Sequence, residues 1–217
     1  MRRNGSRAAA VVASALVVLG GRPLAAQAFD LSAGVSASSA RVVRAGVATS
    51  ALNGPVLGAG GRLGFGRFSV DGHYLEGELS PESGSFGGKE TMAEASAMLR
   101  AAVGAGVTVG VGPRARAFIA PAGTVRWMRM EAQVGYEGEV IPDRARAEIG
   151  LWQVLSGDVN AQGGADGGRG GAAGLTVQLP NSPFALRLVY SADRVAFANG
   201  ASEFVDRIEI GLRFRRF

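Results

Sequence analysis

The 217-residue chain has no cysteine and a single histidine. Without cysteine, stability must come from burial and hydrogen bonding even in a compartment where disulfides form. With one histidine, no multi-histidine metal site can be built, and no metal or other cofactor is expected. Long apolar runs are missing beyond the N-terminus, where nothing approaches the ~18 residues a membrane-crossing helix needs. Complete nucleotide-binding motifs are missing too. Gly58-Ala59-Gly60 and Gly104-Ala105-Gly106 do not extend to G-x-G-x-x-G or lead into a βαβ unit, and read as strand relief and turns. Gly163–Gly170 has a faint calcium-repeat look but occurs once, and reads as a loop within a glycine-rich crossing from Ser156 to Gly170. What the chain does have is 34 glycines and 47% hydrophobic residues, with no helical stripes to bury them.

The first 28 residues form a unit of their own. Arg2, Arg3 and Arg7 precede an apolar run from Ala8 to Leu19, Arg22-Pro23 breaks it, and Ala26-Gln27-Ala28 offers a small-x-small cleavage site. This is the layout of a secretory signal peptide, with Phe29 as the first mature residue and 29–217 as the exported domain. Removing the four arginines of this segment from the 23 basic residues leaves 19 against 18 acidic ones. The mature chain is thus nearly neutral, and no nucleic-acid partner is expected.

From Phe29 onward the pattern has period 2, the mark of strands with two different faces. Leu57, Ala59, Leu63 and Phe65 alternate with Gly58, Gly60 and Arg62, and Val70 and Tyr74 with Asp71 and His73. The same alternation marks 107–116, 128–136, 144–151, 175–179, 184–193 and 207–214. Residues 91–103 read two ways. Thr91-x-x-Glu94 is a capping box before an alanine-rich run, which favours a helix. An even strand count favours a strand, giving ten strands in all, with eight as the alternative. Connections are short at one end, at 66–67, 104–106, 141–143 and 180–183, and several are long at the other, at 39–54, 80–89 and 156–170. Aromatics gather near both ends: Phe29, Phe65, Phe68, Tyr136, Phe184, Phe214 and Phe217 at the first, and Phe118, Trp127, Trp152, Phe197 and Phe204 at the second. Two aromatic belts flanking an apolar band are expected where strands cross a bilayer.

With these features the chain resembles the bacterial outer-membrane β-barrel family. The most specific point of resemblance is the end of the chain, Arg207-Ile208-Glu209-Ile210-Gly211-Leu212-Arg213-Phe214-Arg215-Arg216-Phe217. In the family an amphipathic terminal strand closing with Phe is read by the barrel-assembly machinery, so Phe214 and Phe217 are the assembly-signal candidates. Phe217 departs from the pattern by one residue of phase, which a bulge at Arg215-Arg216 would restore. The resemblance implies an all-β, single antiparallel up-and-down transmembrane barrel, surrounded by outer-membrane lipid, with long loops outside and an unidentified loop partner.

A membrane barrel places its apolar face outward and its polar face in the lumen. The polar face carries Arg62, Asp71, His73, Glu94, Arg100, Arg114, Arg116, Arg129, Glu131, Arg144, Arg146, Glu148, Arg187, Asp193, Arg207, Glu209 and Arg213. These are expected to form a lumen charge network, structural or pore-lining, in which arginine forks satisfy carboxylates across strands. Asp71 and His73, two apart on one face, are the one candidate acid–base pair. The leading expectation is a noncatalytic barrel with an envelope-structural or loop-presenting role. A small porin and a surface enzyme acting on lipid or peptide are the alternatives.

Overall fold

The computed structural model describes residues 29–46, 49–85, 87–159 and 164–216. The expected signal peptide and Phe217 lie outside the described residues. Ten strands follow in order: β1 (Phe29–Ala45), β2 (Ser50–Phe65), β3 (Phe68–Pro81), β4 (Glu90–Gly104), β5 (Val107–Ala120), β6 (Gly123–Ile141), β7 (Ala145–Val159), β8 (Ala165–Gln178), β9 (Phe184–Phe197) and β10 (Ser202–Arg216). Each pairs antiparallel with its neighbours in sequence, and β1 closes onto β10. The fold is an all-β, up-and-down, ten-stranded barrel, which removes the eight-strand alternative.

The ambiguous 91–103 segment is strand β4, paired with β3 and β5. Its alanines at 93, 95 and 97 face outward, while Glu94, Ser96 and Met98 face in. A local helix signal loses here to ladders on both sides, which satisfy the backbone over the whole strand. At the end where β1 begins, here called proximal, the connections are tight. Gly66, at φ +63°, supplies the left-handed position that opens the two-residue turn between β2 and β3.

Strands run 14–19 residues, longer than the expected ~10, and they consume much of the expected distal loops. The loop expected at 39–54 shrinks to the residues between Ala45 and Ser50, and that at 156–170 to those between Val159 and Ala165. The excess length belongs to a distal half in which the two faces exchange character. On β3, Asp71 and His73 point inward and Val70 and Tyr74 outward. Two steps on, Leu75 and Leu79 are buried inside while Glu76 and Glu78 are exposed outside. On β1, Leu31 and Val35 face out, and then Ala40 and Val42 face in with Arg41 outside. Along β1 and β3 the alternation runs through unbroken. Only its sign changes.

Of the two expected aromatic belts, the proximal one is present on the barrel wall. Phe65 and Phe68 pair across their turn with ring centroids 6.3 Å apart, and Phe184 and Phe214 stand 5.7 Å apart on neighbouring strands. Most of the distal belt is not there: Phe118, Trp127, Trp152 and Phe197 are buried inside the barrel, while Phe204 keeps the outward phase, half-buried. Each buried ring shares its strand phase with lumen charges, Phe118 with Arg114 and Arg116, and Trp127 with Arg129 and Glu131. Height along the strand suggested a belt, but phase decides the face. At the C-terminus, β10 pairs with β1 without a register shift through Arg216 opposite Leu31, so the pairing holds no bulge at Arg215-Arg216.

Candidate functional site

The inward faces of the ten strands build a lumen in tiers. At the distal end Ala40, Val42, Leu52, Val56, Leu75, Leu79, Met92, Phe118 and Val205 pack into one apolar cluster. Trp127, Val195 and Phe197 form a second beside it. Together they cap the barrel from within. Phe118 also lies under the Arg44 guanidinium, 4.0 Å from the ring centre, and Arg44 in turn pairs with Glu90 at 2.9 Å.

Directly beneath the cap sits a buried ionic girdle. Arg116 on β5 reaches Glu94 at 2.5 Å, Asp193 at 2.9 Å and Glu203 at 2.9 Å. Arg129 on β6 binds the second oxygen of Asp193 at 2.9 Å and also binds Glu131. Arg114 approaches Glu131 at 3.3 Å and Glu94 at 3.7 Å, and Arg207 reaches Glu94 at 3.7 Å. Both central arginines also lie over Trp127, at 4.8 Å for Arg116 and 4.5 Å for Arg129. Arg116 and Arg129 are 2% exposed and Glu131 is 0%, so these charges depend on one another rather than on water. Strand pairing explains how they meet. Glu94 stands opposite Arg116 and Arg114 opposite Arg129 in the ladders, and the girdle closes across the lumen to Asp193 and Glu203.

The next tier down is looser. Asp71 is held between Arg62 at 2.6 Å and Arg100 at 2.5 Å. Arg187 binds Glu148 at 2.6 Å and Glu209 at 3.0 Å. These groups, with His73 and Arg213, surround a chamber of about 230 Å³. Below it a mouth of about 1040 Å³ opens at the proximal end, where Arg146 pairs with Glu139 at 3.1 Å. Of the expected lumen residues, Arg144 stands at the rim of the proximal mouth rather than in the chamber. It lies exposed in the turn before β7, because the connection there extends through Arg144. Asp71 and His73 do share the inner face, but the Asp71 carboxylate is committed to two arginines.

Glu203, Trp127, Arg44 and Trp152 belong to this network and were missed from the sequence. Glu203, Trp127 and Trp152 lie in phase with assigned lumen residues on their strands, whereas β1, which carries Arg44, had no assigned lumen residue to extend from. Trp152 stacks 5.1 Å from the Arg114 guanidinium and is accommodated by Gly170, where a Cβ would run into the indole. Gly170→Leu is expected to displace Trp152 and to cost about 1–3 kcal/mol through overpacking. Urea unfolding followed by tryptophan emission measures it, since Trp127 is the only other indole.

On the distal outer wall the ion pairs are exposed. Arg41 meets Glu82 at 2.7 Å and Lys89 meets Glu78 at 2.6 Å. Hydrogen bonding from Arg41 holds the Glu82 carboxyl below its ordinary value.

The closed up-and-down topology is matched among solved structures. The β domain of the Bordetella autotransporter BrkA superposes with a TM-score of 0.51 at 13% identity, covering 86% of this chain and 99% of that one. The fold is that of the outer-membrane β-barrels. The barrel also aligns with Ail of Yersinia pestis, with a TM-score of 0.38 at 13% identity over 86% of this chain and 99% of Ail. The outer membrane channel DcaP of Acinetobacter baumannii aligns with a TM-score of 0.38 at 12% identity over 81% of this chain, which spans 62% of the length of DcaP. No protein-family model matches the barrel, and no curated protein matches it.

Proposed function

We propose that the protein is a noncatalytic barrel of the bacterial outer membrane, exported by cleavage after Ala28, that serves the envelope as a sealed structural element and presents its distal loops to a partner outside. The observation that carries this reading is the interior cap over a buried ionic girdle. An apolar plug lined by Leu79, Met92 and Phe118 offers no hydration to a passing ion, and the girdle beneath it has each arginine tied to carboxylates. Lipid of the outer membrane surrounds the belt of outward residues such as Leu188, Ile210 and Leu212. The terminal strand β10 is the segment the barrel-assembly machinery would read. Asp71, bound by two guanidiniums, is a poor general base, which favours a noncatalytic role.

The test is single-channel recording in planar bilayers. The barrel is expected to produce no conductance steps, and regular ohmic steps would instead assign it as a small porin. Cell fractionation with boiled and unboiled gel samples checks the address. Recovery with the outer membrane and heat-dependent migration are expected, and recovery in the soluble periplasm would overturn the placement.

A further inference from the structure

The chamber in the middle of the lumen does not balance its charges. Its ionic lining holds six arginines and four carboxylates. Arg62 and Arg100 share the carboxylate of Asp71, and Arg62 also reaches Glu137 at 3.6 Å on the side of the mouth. Arg187 has Glu148 and Glu209, but Glu209 also serves Arg207 at 3.8 Å. Arg213 on β10 forms no ion pair with any described residue, and its charged neighbours are two more arginines, Arg187 and Arg62, with Glu148 and Glu137 beyond pairing distance. Guanidiniums that outnumber their carboxylates repel one another, and these line a space of about 230 Å³ with Arg213 left without an ion-pair partner among the described residues. That space continues into the open proximal mouth, which Arg62 and Arg213 also line. The girdle and the cap close it on the distal side.

We propose that this dead-end chamber binds a small tetrahedral oxyanion, of the phosphate class, entering from the proximal mouth, with Arg213 as its principal donor and Arg62, Arg100 and Arg187 supplying the rest. A phosphate-class anion suits the chamber because its several acceptor oxygens accept from guanidinium forks arriving from different strands. A halide screens charge but has no directional acceptors to match the forks. Binding does not require conduction, so the site is compatible with a sealed barrel and with the failure of that reading alike.

The experiment uses the refolded full barrel in detergent. Its unfolding temperature is followed as inorganic phosphate replaces chloride at constant ionic strength, since a ligand that binds only the native state raises that temperature. A saturable rise in phosphate is expected, with none in chloride. Arg213→Gln should weaken the apparent affinity at least about tenfold, and Arg213→Lys should retain part of it. Arg144→Gln, which removes the same charge from the exposed proximal turn, should leave the response unchanged. A parallel titration with glycerol 3-phosphate separates a site for free phosphate from one that accepts a phosphate monoester. Heat-dependent gel migration of each variant establishes that it has folded. No rise beyond that in chloride would overturn the proposal, as would a folded Arg213→Gln barrel that responds like the wild type. A response lost equally in Arg144→Gln would do the same, by placing the ion at the mouth.

Discussion

Arg116→Met is expected to be among the most damaging single substitutions in the barrel. The guanidinium it removes is the shared partner of Glu94, Asp193 and Glu203, at 2.5, 2.9 and 2.9 Å, in a layer closed to water by the cap above. Asp193 would keep Arg129, and Glu94 would keep Arg114 and Arg207 at longer range. Glu203 would be left with Arg44 at 3.6 Å and with the Trp127 indole N–H donating at 3.4 Å. Breaking a buried pair by removing one partner costs on the order of 3–5 kcal/mol, because a carboxylate is left buried without its counter-charge. Urea unfolding in lipid vesicles should show a midpoint lowered in proportion. The double variant Arg116→Met/Glu203→Gln should recover part of the loss, since it also removes the most isolated of the three charges. A wild-type midpoint for the single variant would mean that the girdle is hydrated and that its arginines are not interdependent.

The exchange of faces along the strands makes a second, sharper expectation. In a barrel with one uniform inversion, an arginine at position 79 would join a polar lumen and a leucine at position 78 would gain lipid. Here Leu79 is 0% exposed within the interior cap, and Glu78 stands outside against Lys89. Leu79→Arg should therefore destabilise the barrel by about 3–5 kcal/mol, as an unpaired charge in an apolar core. Glu78→Leu should change stability by no more than about 0.5 kcal/mol, because exposed pairs contribute little. Lower on the wall the rule turns over. Leu188→Arg, on the outward belt, should cost about 2–4 kcal/mol by setting a charge in hydrocarbon. Tolerance of Leu79→Arg together with a clear gain in stability for Glu78→Leu would show that the distal half is organised like the proximal one.

The strand count, the pairing order and the proximal half of the lumen were legible in the sequence. Period 2 is a local signal, and Asp71, Arg187, Glu209 and Arg213 could be assigned to one face from their spacing alone. Distances across the lumen could not, because nothing along a strand says that Arg116 meets Glu203 on a strand far away in sequence. The distal half was misread for a different reason. Ser39-Ala40-Arg41-Val42 alternates as faithfully as Leu57–Phe65, but with the apolar residues on the other face, so a search for apolar-outward strands ended too soon. The glycines of 164–170 concealed a strand in the same way. At Gly168 and Gly170 the neighbouring strand backbone and the Trp152 ring approach closely, and composition alone cannot tell that from a loop.

The height at which the faces exchange also acts as a ruler. On β2 the outward apolar residues run from Phe65 to Leu57, and Pro55 and Asn53 follow. At ~3.4 Å per residue and a tilt of ~40°, that run covers roughly 20–25 Å of membrane normal. A barrel with loops alone above its belt can ride up or down a little at small cost. This one cannot, because sinking would draw Glu76, Glu78 and Arg194 into hydrocarbon and rising would lift Leu188 and Ile210 into water. In the outer-membrane placement proposed above, the protein is therefore pinned at one depth, and a bilayer of another thickness must deform around it or exclude it.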